Sequence, residues 1–385
     1  MKSLTFIVAS MAAFVGQSAA AGVTGEAPGF ATGTTGGGAA VGAYPADIFE
    51  LKTWLTDAVP RTILIDKEYN FLKSENVTTE DGCRPDANVC PGQGGQDAIN
   101  HAEWCTNGNA GDPAIVKTVK VTYDTAPRKP INVASNKSLV GVGSNAVIRG
   151  KGLRIKGSTN IIIQNIHITD LNPQLIWGGD AITLAGTDLV WIDHVKTSLI
   201  GRQHLVTGGL ASNRVAITNC EFDGSTSWSN TCDNHHYWTI YFTGAADLIT
   251  FAGNYIHHTS GRSPKLTAGT LLHAVNNLWS DNTGHALDIG TGVSVVAEGN
   301  TFIKVEKPIL ENLGALFAPS ALSDACTGPL GRPCQGNVLS NSGPFVGDDT
   351  SMLAKFKGKE VIGSVPAPDT NIRASAGVGK VTPKC

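Results

Sequence analysis

A short β-rich motif recurs along the middle of the chain, and its spacing restricts the possible folds more than any other feature. Three members follow one another at intervals of 23 residues, namely Asn254-Tyr255-Ile256, Asn277-Leu278-Trp279 and Asn300-Thr301-Phe302. Earlier runs of the same kind open on Asn, Asp or Ser and cover 138–142, 160–165, 188–193, 213–219 and 247–251. A period in the low twenties, with β-branched cores and no helical periodicity, predicts one coil of a parallel β-helix per repeat.

The burial of apolar side chains explains why such coils must stack. One coil cannot cover its own apolar face, and the recurring Asn is expected to hydrogen-bond to the Asn of the coils above and below. A leucine-rich horseshoe has a similar period but needs Leu-x-x-Leu-x-Leu spacing, which the repeats lack. A β-sandwich would show a succession of hairpins with Asn-Gly turns, which the repeats also lack. The fold class predicted is therefore all-β, a single-stranded parallel β-helix.

The first residues have the pattern of a secretory signal peptide. Lys2 supplies the positive charge, residues 4–15 form an apolar core, and small residues follow at 18–21. We expect cleavage near Ala20 and one β-helix domain over residues 21–385, secreted and soluble, because no later apolar run is long enough to span a bilayer. Residues 22–43 are rich in Gly, Ala and Thr and are either a flexible lead-in or a packed entry strand.

Net charge limits the possible partners. The formal charge is −3, which argues against a nucleic-acid partner because such a partner favours a basic surface. Nothing in the chain requires a membrane or an oligomer, so a monomer is expected. Sequons at Asn76 and Asn136 are predicted glycosylation sites.

Eight cysteines in a secreted chain indicate disulfides. Cys326 and Cys334 bracket a short Gly/Pro loop and are expected to pair with each other. Cys220 lies in an apolar run, where a buried free thiol is expected. The CxxC spacing of zinc sites is absent. Three further cysteines crowd one loop-rich segment: Cys83, Cys90 and Cys105.

Function in a β-helix is expected on the longer loops that leave the regular coils. Three such loops, at 172–181, 199–204 and 233–262, carry unusual residues. Coils stacked about 4.8 Å apart would bring them onto one face. The last loop contains Arg262 and leads to Lys265, two cations suited to anion or carbonyl recognition.

Several histidines look like metal ligands, but their positions on strands argue against that role. Adjacent residues of a strand point to opposite faces, so the pairs His235-His236 and His257-His258 are not expected to bind one ion. Asp193-His194 lies inside a β-run, where a structural turn bond is the expected role. The sequence therefore predicts no metal site.

Five motifs together resemble the fungal pectin lyases of the pectate lyase superfamily, over roughly residues 22–366. They are Trp177-Gly178-Gly179-Asp180-Ala181-Ile182, Trp191-Ile192-Asp193-His194, Gly201-Arg202-Gln203-His204, His235-His236-Tyr237-Trp238 and Ser260-Gly261-Arg262-Ser263-Pro264-Lys265. The resemblance implies a right-handed parallel β-helix with catalytic loops on one face. It also implies disulfides that join Cys83 to Cys105 and Cys90 to Cys232, and it leaves Cys220 and Cys385 without partners.

The resemblance implies a role for four polar residues. Arg262 is implied as the proton-abstracting base, and Arg202 stands where calcium-dependent relatives place a metal-binding carboxylate. Asp180 is the surviving carboxylate of that lost metal site, and Lys265 faces the uronate carbonyl. A competing account keeps Arg262 charged as the carbonyl polariser, because free guanidinium titrates above ~12, and gives the proton to another group or to water.

The reaction that the resemblance implies is β-elimination of pectin, with no cofactor. A methyl ester at C6 makes the C5 proton more acidic than an ionised carboxylate does, so arginine and lysine can stabilise the enolate without calcium. The expected substrate is highly methylated homogalacturonan of plant cell walls, cleaved in the endo mode. The predicted sugar-stacking rings are Trp177, Tyr237, Trp238 and Tyr241.

Three other functions remain open from the sequence. A calcium-dependent pectate lyase is disfavoured because Arg202 would repel the ion. A polygalacturonase-type hydrolase needs a cluster of carboxylates to activate water, and near Arg262 the motifs offer Asp180 alone. A non-catalytic polysaccharide-binding protein would not need Arg202, Arg262 and Lys265 together.

Overall fold

A computed structural model gives the structure of residues 22–91, 94–367 and 371–382. The predicted signal peptide and Cys385 lie outside these residues. Within them, no helix has the length and apolar character needed to cross a membrane.

The chain winds into a parallel β-helix, as the repeat predicted, whose coils contribute strands to sheets 1, 2 and 3. Sheet 1 contains eleven strands, and all pairs are parallel except the last. Its strands are Gly42–Ala43, Arg61–Ile65, Lys137–Gly141, Thr159–Gln164, Asp188–Asp193, Asn213–Thr218, Leu248–Ala252, Leu271–Val275, Ser294–Glu298, Ala315–Ala318 and Gly347–Asp348.

Sheets 2 and 3 are joined by two long strands, Leu278–Ile289 and Thr301–Asn312, whose first parts lie in sheet 2 and last parts in sheet 3. The other strands of sheet 2 are Glu68–Asn70, Val147–Arg149, His167–Leu171, Lys196–Ile200, Glu221–Asp223, Tyr255–Thr259 and Val338–Ser340. The other strands of sheet 3 are Ile131–Asn132, Leu153–Lys156, Ile182–Ala185, Leu205–Thr207, Ile240–Phe242 and Lys265–Leu266. Each coil thus adds one strand per sheet, so residues one period apart become neighbours.

A small fourth sheet and a few short helices lie outside the coils. The sheet contains Val77–Arg84, Asp97–Ile99, Lys117–Asp124 and Leu175–Ile176. The α-helices are Ile48–Thr56, Thr327–Leu330 and Ile372–Ser375. The 3-10 helices are Gly29–Ala31, Asp86–Asn88, His101–Glu103, Ala126–Arg128, Asp324–Cys326 and Ser351–Phe356.

The recurring asparagines form the predicted ladder between coils. The Nδ2 atom of Asn254 donates to Oδ1 of Asn277 at 2.9 Å, Asn277 donates to Asn300 at 3.0 Å, and Asn300 donates to Asn337 at 3.0 Å. Cys220 takes the same place one coil earlier, since its N–H donates to Oδ1 of Asn254 at 2.9 Å. Its thiol is free and buried, as expected, and burial raises its pKa.

Residues 22–43 pack against sheet 1, which decides between the two possibilities that the sequence left open. The N–H of Phe30 donates to Oγ1 of Thr250 at 3.0 Å. At Gly29 φ is +57°, and a Cβ would clash with that same Oγ1. Glycine is required there because the backbone approaches Thr250 closely in a left-handed conformation.

The helix Ile48–Thr56 was not predicted, because a single helix of two to three turns adds little periodic signal to a β-rich sequence. The side chain of Asp47 caps it by accepting from the N–H groups of Phe49 and Glu50. Leu51 and Leu55 are fully buried. The helix therefore covers the first coil of the core.

Candidate active site

The candidate site begins with an outward row of residues across sheet 3. Thr183, Val206, Tyr241, Lys265 and Asp288 stand in register on successive coils. Lys265 Nζ donates to Oδ2 of Asp288 at 2.7 Å. The motifs offered Asp180 as a carboxylate of the site, and the structure adds Asp288 beside Lys265.

Arg202 lies in the loop before strand Leu205–Thr207. Its guanidinium carbon lies 3.7 Å from the ring centre of Trp177, and its Nη1 lies 3.5 Å from Oδ2 of Asp180. Asp180 is held in turn because its Oδ1 accepts from the N–H of Gln203 at 2.9 Å. Burial lowers the pKa of Arg202, and the charge of Arg262 acts in the same direction while Asp180 opposes it.

A buried histidine fixes the backbone at Arg202. His236 Nε2 lies 2.6 Å from the carbonyl oxygen of Arg202 and 3.1 Å from that of Trp238. Both neighbours are acceptors, so Nε2 carries the hydrogen. Burial lowers the pKa of His236 to about 4, which keeps the ring neutral at higher pH.

Arg262 is surrounded by aromatic rings. Its guanidinium carbon lies 4.5 Å from the ring centre of Trp238, 5.1 Å from that of Tyr241 and 5.7 Å from that of Tyr237. Its Nε is buried without a hydrogen-bond partner. In the part of the chain that the structure describes, no carboxylate lies within ion-pair distance of Arg262. The cation thus depends on cation–π contacts and remains available to a ligand.

Two backbone hydrogen bonds hold Arg262 in an unusual conformation. Its φ is +44°, which costs about 1–3 kcal/mol in a residue other than glycine. Its carbonyl oxygen accepts from the N–H of Ile240 at 2.5 Å, and its own N–H donates to Nε2 of His285 at 3.2 Å. Such strain is often retained at functional sites.

His285 and Asp288 were missed by the sequence analysis. Each lies one 23-residue period after a predicted site residue, His285 after Arg262 and Asp288 after Lys265. The repeat itself could have found them, because residues one period apart stack. Burial lowers the pKa of His285 to about 4, and Lys265 and Arg262 act in the same direction, so the ring accepts as a neutral base.

The four aromatic residues contact Arg202 or Arg262. One face of Trp177 is occupied by Arg202, and His101 packs 4.7 Å from its ring centre. Trp177 therefore supports a guanidinium, a role that the sequence analysis did not foresee. Tyr237, Trp238 and Tyr241 are half-buried around Arg262.

A cationic cleft of about 140 Å³ opens beside Arg202. Its lining includes Asp180 and Trp177 together with three arginines: Arg128, Arg154 and Arg202. Arg154 extends the outward row of sheet 3, since it pairs in register with Thr183. The surface is suited to a chain of polar rings bearing carbonyl or carboxylate groups.

The predictions for His194 and for the pair His235-His236 agree with the structure. The argument that His257 and His258 point to opposite faces was wrong. His194 Nδ1 bonds to Asp193 Oδ2 at 2.7 Å in a left-handed turn, as predicted. His235 and His236 point apart, because the ring of His235 stacks on that of His258 whereas the ring of His236 contacts His204.

The pair His257 and His258 does not point to opposite faces. Their Nδ1 atoms lie 2.7 Å apart. The physical reason is a φ of +52° at His258, which breaks the alternation of an extended strand.

Three disulfides stabilise the loops, and they join the pairs that the sequence analysis expected: Cys83–Cys105, Cys90–Cys232 and Cys326–Cys334. The two sequons differ in accessibility. Asn76 is exposed, whereas Asn136 is half-buried and accepts from Nδ2 of Asn160 at 2.8 Å. Ser138 of the second sequon is fully buried. Asn76 is therefore the better predicted glycan site.

The stacked coils and the exposed arginine-rich cleft define a β-helical protein that can bind an acidic or esterified polysaccharide along its side. Comparison with known proteins agrees with this class. The family model for pectate lyase matches residues 105–316, and the chain belongs to the pectate lyase family.

Similar proteins refine this assignment. The chain is 53% identical to probable pectin lyase F of Aspergillus niger, over 94% of its own length and 76% of that relative's. It is 49% identical to pectin lyase B of Emericella nidulans, over 97% of its own length and 98% of the relative's. A pectate lyase of Bacillus sp. N165, solved with trigalacturonate, shares the fold with a TM-score of 0.58 at 18% identity, covering 91% of this chain and 98% of that one.

Proposed function

We propose that the chain is an endo-pectin lyase that cleaves methyl-esterified polygalacturonan by β-elimination. The observation that carries this proposal is the guanidinium of Arg202, which lies over Trp177 and 3.5 Å from Asp180. The names of relatives about half identical over nearly the whole chain support it.

The donor set of the cleft favours chemistry without calcium. Calcium takes six to eight oxygen ligands, usually including several carboxylates. Asp180 is contacted by Arg202, and Asp288 is paired with Lys265. Among the described residues, the cleft offers no close group of three carboxylate or histidine ligands. A calcium ion would therefore meet the positive charges of Arg202 and Lys265 and would find too few carboxylate ligands.

In the proposed reaction, a base removes the proton at C5, α to the C6 ester carbonyl, and negative charge develops on the carbonyl oxygen. The C4–O4 bond then breaks, the double bond forms between C4 and C5, and O4 leaves with a proton. Arg202 and Lys265 stabilise the developing enolate by charge-assisted hydrogen bonds. Lys265 has three donors, and its ion pair with Asp288 leaves two of them for the substrate.

Arg262 is the proposed base. Its Nε lacks a hydrogen-bond partner, and its guanidinium contacts Tyr241, which is the register neighbour of Lys265. In the competing account Arg262 stays charged and polarises the carbonyl, and the proton goes to water.

The open side of the cleft supports endo attack, because a polymer can enter without threading an end. The predicted signal peptide supports action outside the cell on plant cell-wall pectin, and a monomer suffices for it. The ester chemistry above favours highly methylated homogalacturonan as the substrate.

The experiment records ultraviolet absorbance of the conjugated unsaturated uronide with highly methylated pectin and with de-esterified pectate, each with and without a calcium chelator. We expect a rapid, chelator-resistant rise on methylated pectin. Activity confined to pectate with calcium would instead favour a pectate lyase. Chain shortening without absorbance would indicate a hydrolase, and binding without shortening would indicate a non-catalytic protein.

A further inference from the structure

A second cluster of ionisable side chains lies on sheet 2, whereas Arg202 and Arg262 lie on the loops before strands of sheet 3. Asp223 stands on strand Glu221–Asp223, and His257 and His258 stand on the neighbouring strand Tyr255–Thr259. One ligand atom from each of these three side chains lies within 4.8 Å of the other two. β-Elimination in the cleft uses none of them.

The distances are close to those of a metal site. The Nδ1 atoms of His257 and His258 are 2.7 Å apart, and Oδ1 of Asp223 is 3.8 Å from Nδ1 of His257. Tetrahedral zinc with bonds of about 2.0–2.2 Å places its ligand atoms roughly 3.3–3.5 Å apart. Small side-chain rotations would therefore bring all three atoms into ligand positions.

Each imidazole also has a carboxylate on its second nitrogen. Nε2 of His257 lies 3.3 Å from Oε1 of Glu221, and Nε2 of His258 lies 3.3 Å from Oδ2 of Asp281. Metal-bound histidines almost always donate their other N–H to such a partner, which fixes the tautomer and orients the ring. Here both rings would present Nδ1 lone pairs to one point.

The charge balance also favours a cation. The ion pairs of the cluster contain three carboxylates, of Asp223, Glu221 and Asp281, against one ammonium, Lys196. Lys196 Nζ lies 3.1 Å from Oδ2 of Asp223, which leaves Oδ1 on the histidine side. With neutral imidazoles the cluster is anionic, and a divalent cation would neutralise it.

We propose that Asp223, His257 and His258 form a zinc site that links two successive coils, with water as the fourth ligand. Two imidazole nitrogens and one carboxylate oxygen suit zinc and not calcium, which prefers oxygen alone. Access is open, because the side chain of His258 is 42% exposed. The left-handed backbone at His258 places two adjacent histidines on one side of the strand.

The test titrates Zn²⁺ into chelator-stripped, full-length protein by isothermal calorimetry and repeats thermal unfolding with and without zinc. We expect one equivalent to bind and the unfolding midpoint to rise. His258→Ala should weaken binding at least tenfold and abolish the rise. Should His258→Ala fail to fold, Asp223→Asn is expected to give the same loss.

The matched control is His194→Ala. This histidine also contacts a neighbouring carboxylate, Oδ2 of Asp193 at 2.7 Å, but among the described residues no third possible ligand is grouped with these two. Its zinc affinity should equal that of the unchanged protein. The proposal is overturned if no zinc binds at about 100 µM, or if His258→Ala binds as tightly as His194→Ala. Either outcome leaves the lyase assignment untouched, because the readout is binding.

Discussion

Replacing Arg262 with alanine removes the side chain on which the proposed elimination depends. A positioned general base contributes about 10²–10⁴-fold, and one preorganised donor at a developing oxyanion contributes about 10²–10³-fold. Both possible roles of Arg262 therefore predict a loss of at least about 10²-fold in kcat, or about 2.7 kcal/mol of transition-state stabilisation. The assay is the initial rate of ultraviolet absorbance on methylated pectin.

Arg214 provides the matched control. It is also an arginine with positive φ, +47° against +44° at Arg262, but it lies on sheet 1 in an exposed ion pair with Asp188. Arg214→Ala should keep its rate within about twofold, so a backbone effect can be separated from a catalytic one. A rate for Arg262→Ala within threefold of the unchanged protein would refute the reasoning.

Arg262→Lys separates the two roles. Lysine titrates near 10.4 and arginine above 12, so a base role predicts that the ascending limb of kcat/KM moves to lower pH in the variant. A carbonyl-polarising role predicts a lower rate with an unmoved limb. The position of the limb in paired pH profiles therefore decides which account holds.

Three further predictions concern the asparagine ladder, the buried carboxylate of Glu298 and the ion pair of Lys265 with Asp288. Asn277→Ala removes four ladder hydrogen bonds and should lower the free energy of unfolding by about 2–4 kcal/mol in urea. Burial alone would raise the pKa of Glu298, but hydrogen bonds from His273 and Arg332 outweigh it and lower the pKa to about 2. The stability that ionised Glu298 contributes should therefore be present above about pH 4.5 and fade towards pH 2. Asp288→Asn should lower kcat/KM on methylated pectin about tenfold, because an anchor of the substrate-facing lysine is lost, whereas Lys265→Ala should lower it about 10²-fold.

Each of these has a contrary outcome. A stability of Asn277→Ala equal to that of the exposed control Asn234→Ala would show that the ladder is incidental. If Glu298→Gln left the dependence of the free energy of unfolding on acidic pH unchanged, Glu298 would not be the source of that dependence. A larger loss for Asp288→Asn than for Lys265→Ala would mean that Asp288 itself acts on the substrate.

Much of the fold follows from the repeat, because stacked coils of equal length appear in the sequence as a constant period. The Asn254, Asn277 and Asn300 spacing predicted both the coil and the ladder. The helix Ile48–Thr56 did not follow, because it occurs once. The packing of residues 22–43 also depends on tertiary contacts, such as that of Phe30 with Thr250, which no local pattern records.

The motifs identified candidate site residues but not the side chains that contact them. Motifs identified Arg202, Arg262 and Lys265. The structure places Arg202 in the lining of the cleft, and it places Arg262 over Tyr241, the register neighbour of Lys265. The role of Trp177 beneath Arg202 depends on how two loops meet, which spacing does not reveal. The orientation of His258 was mispredicted because alternation assumes extended backbone, and a single left-handed residue reverses it.

The central claim, metal-free elimination on the methyl ester, is tested most directly by digesting methylated pectin in ¹⁸O-labelled water with a calcium chelator and weighing the products by mass spectrometry. Elimination adds no water, so the account predicts unsaturated oligogalacturonide methyl esters, one water lighter than hydrolysis products and free of label at the new ends. Products that carry ¹⁸O, or no products until calcium is restored, would contradict it.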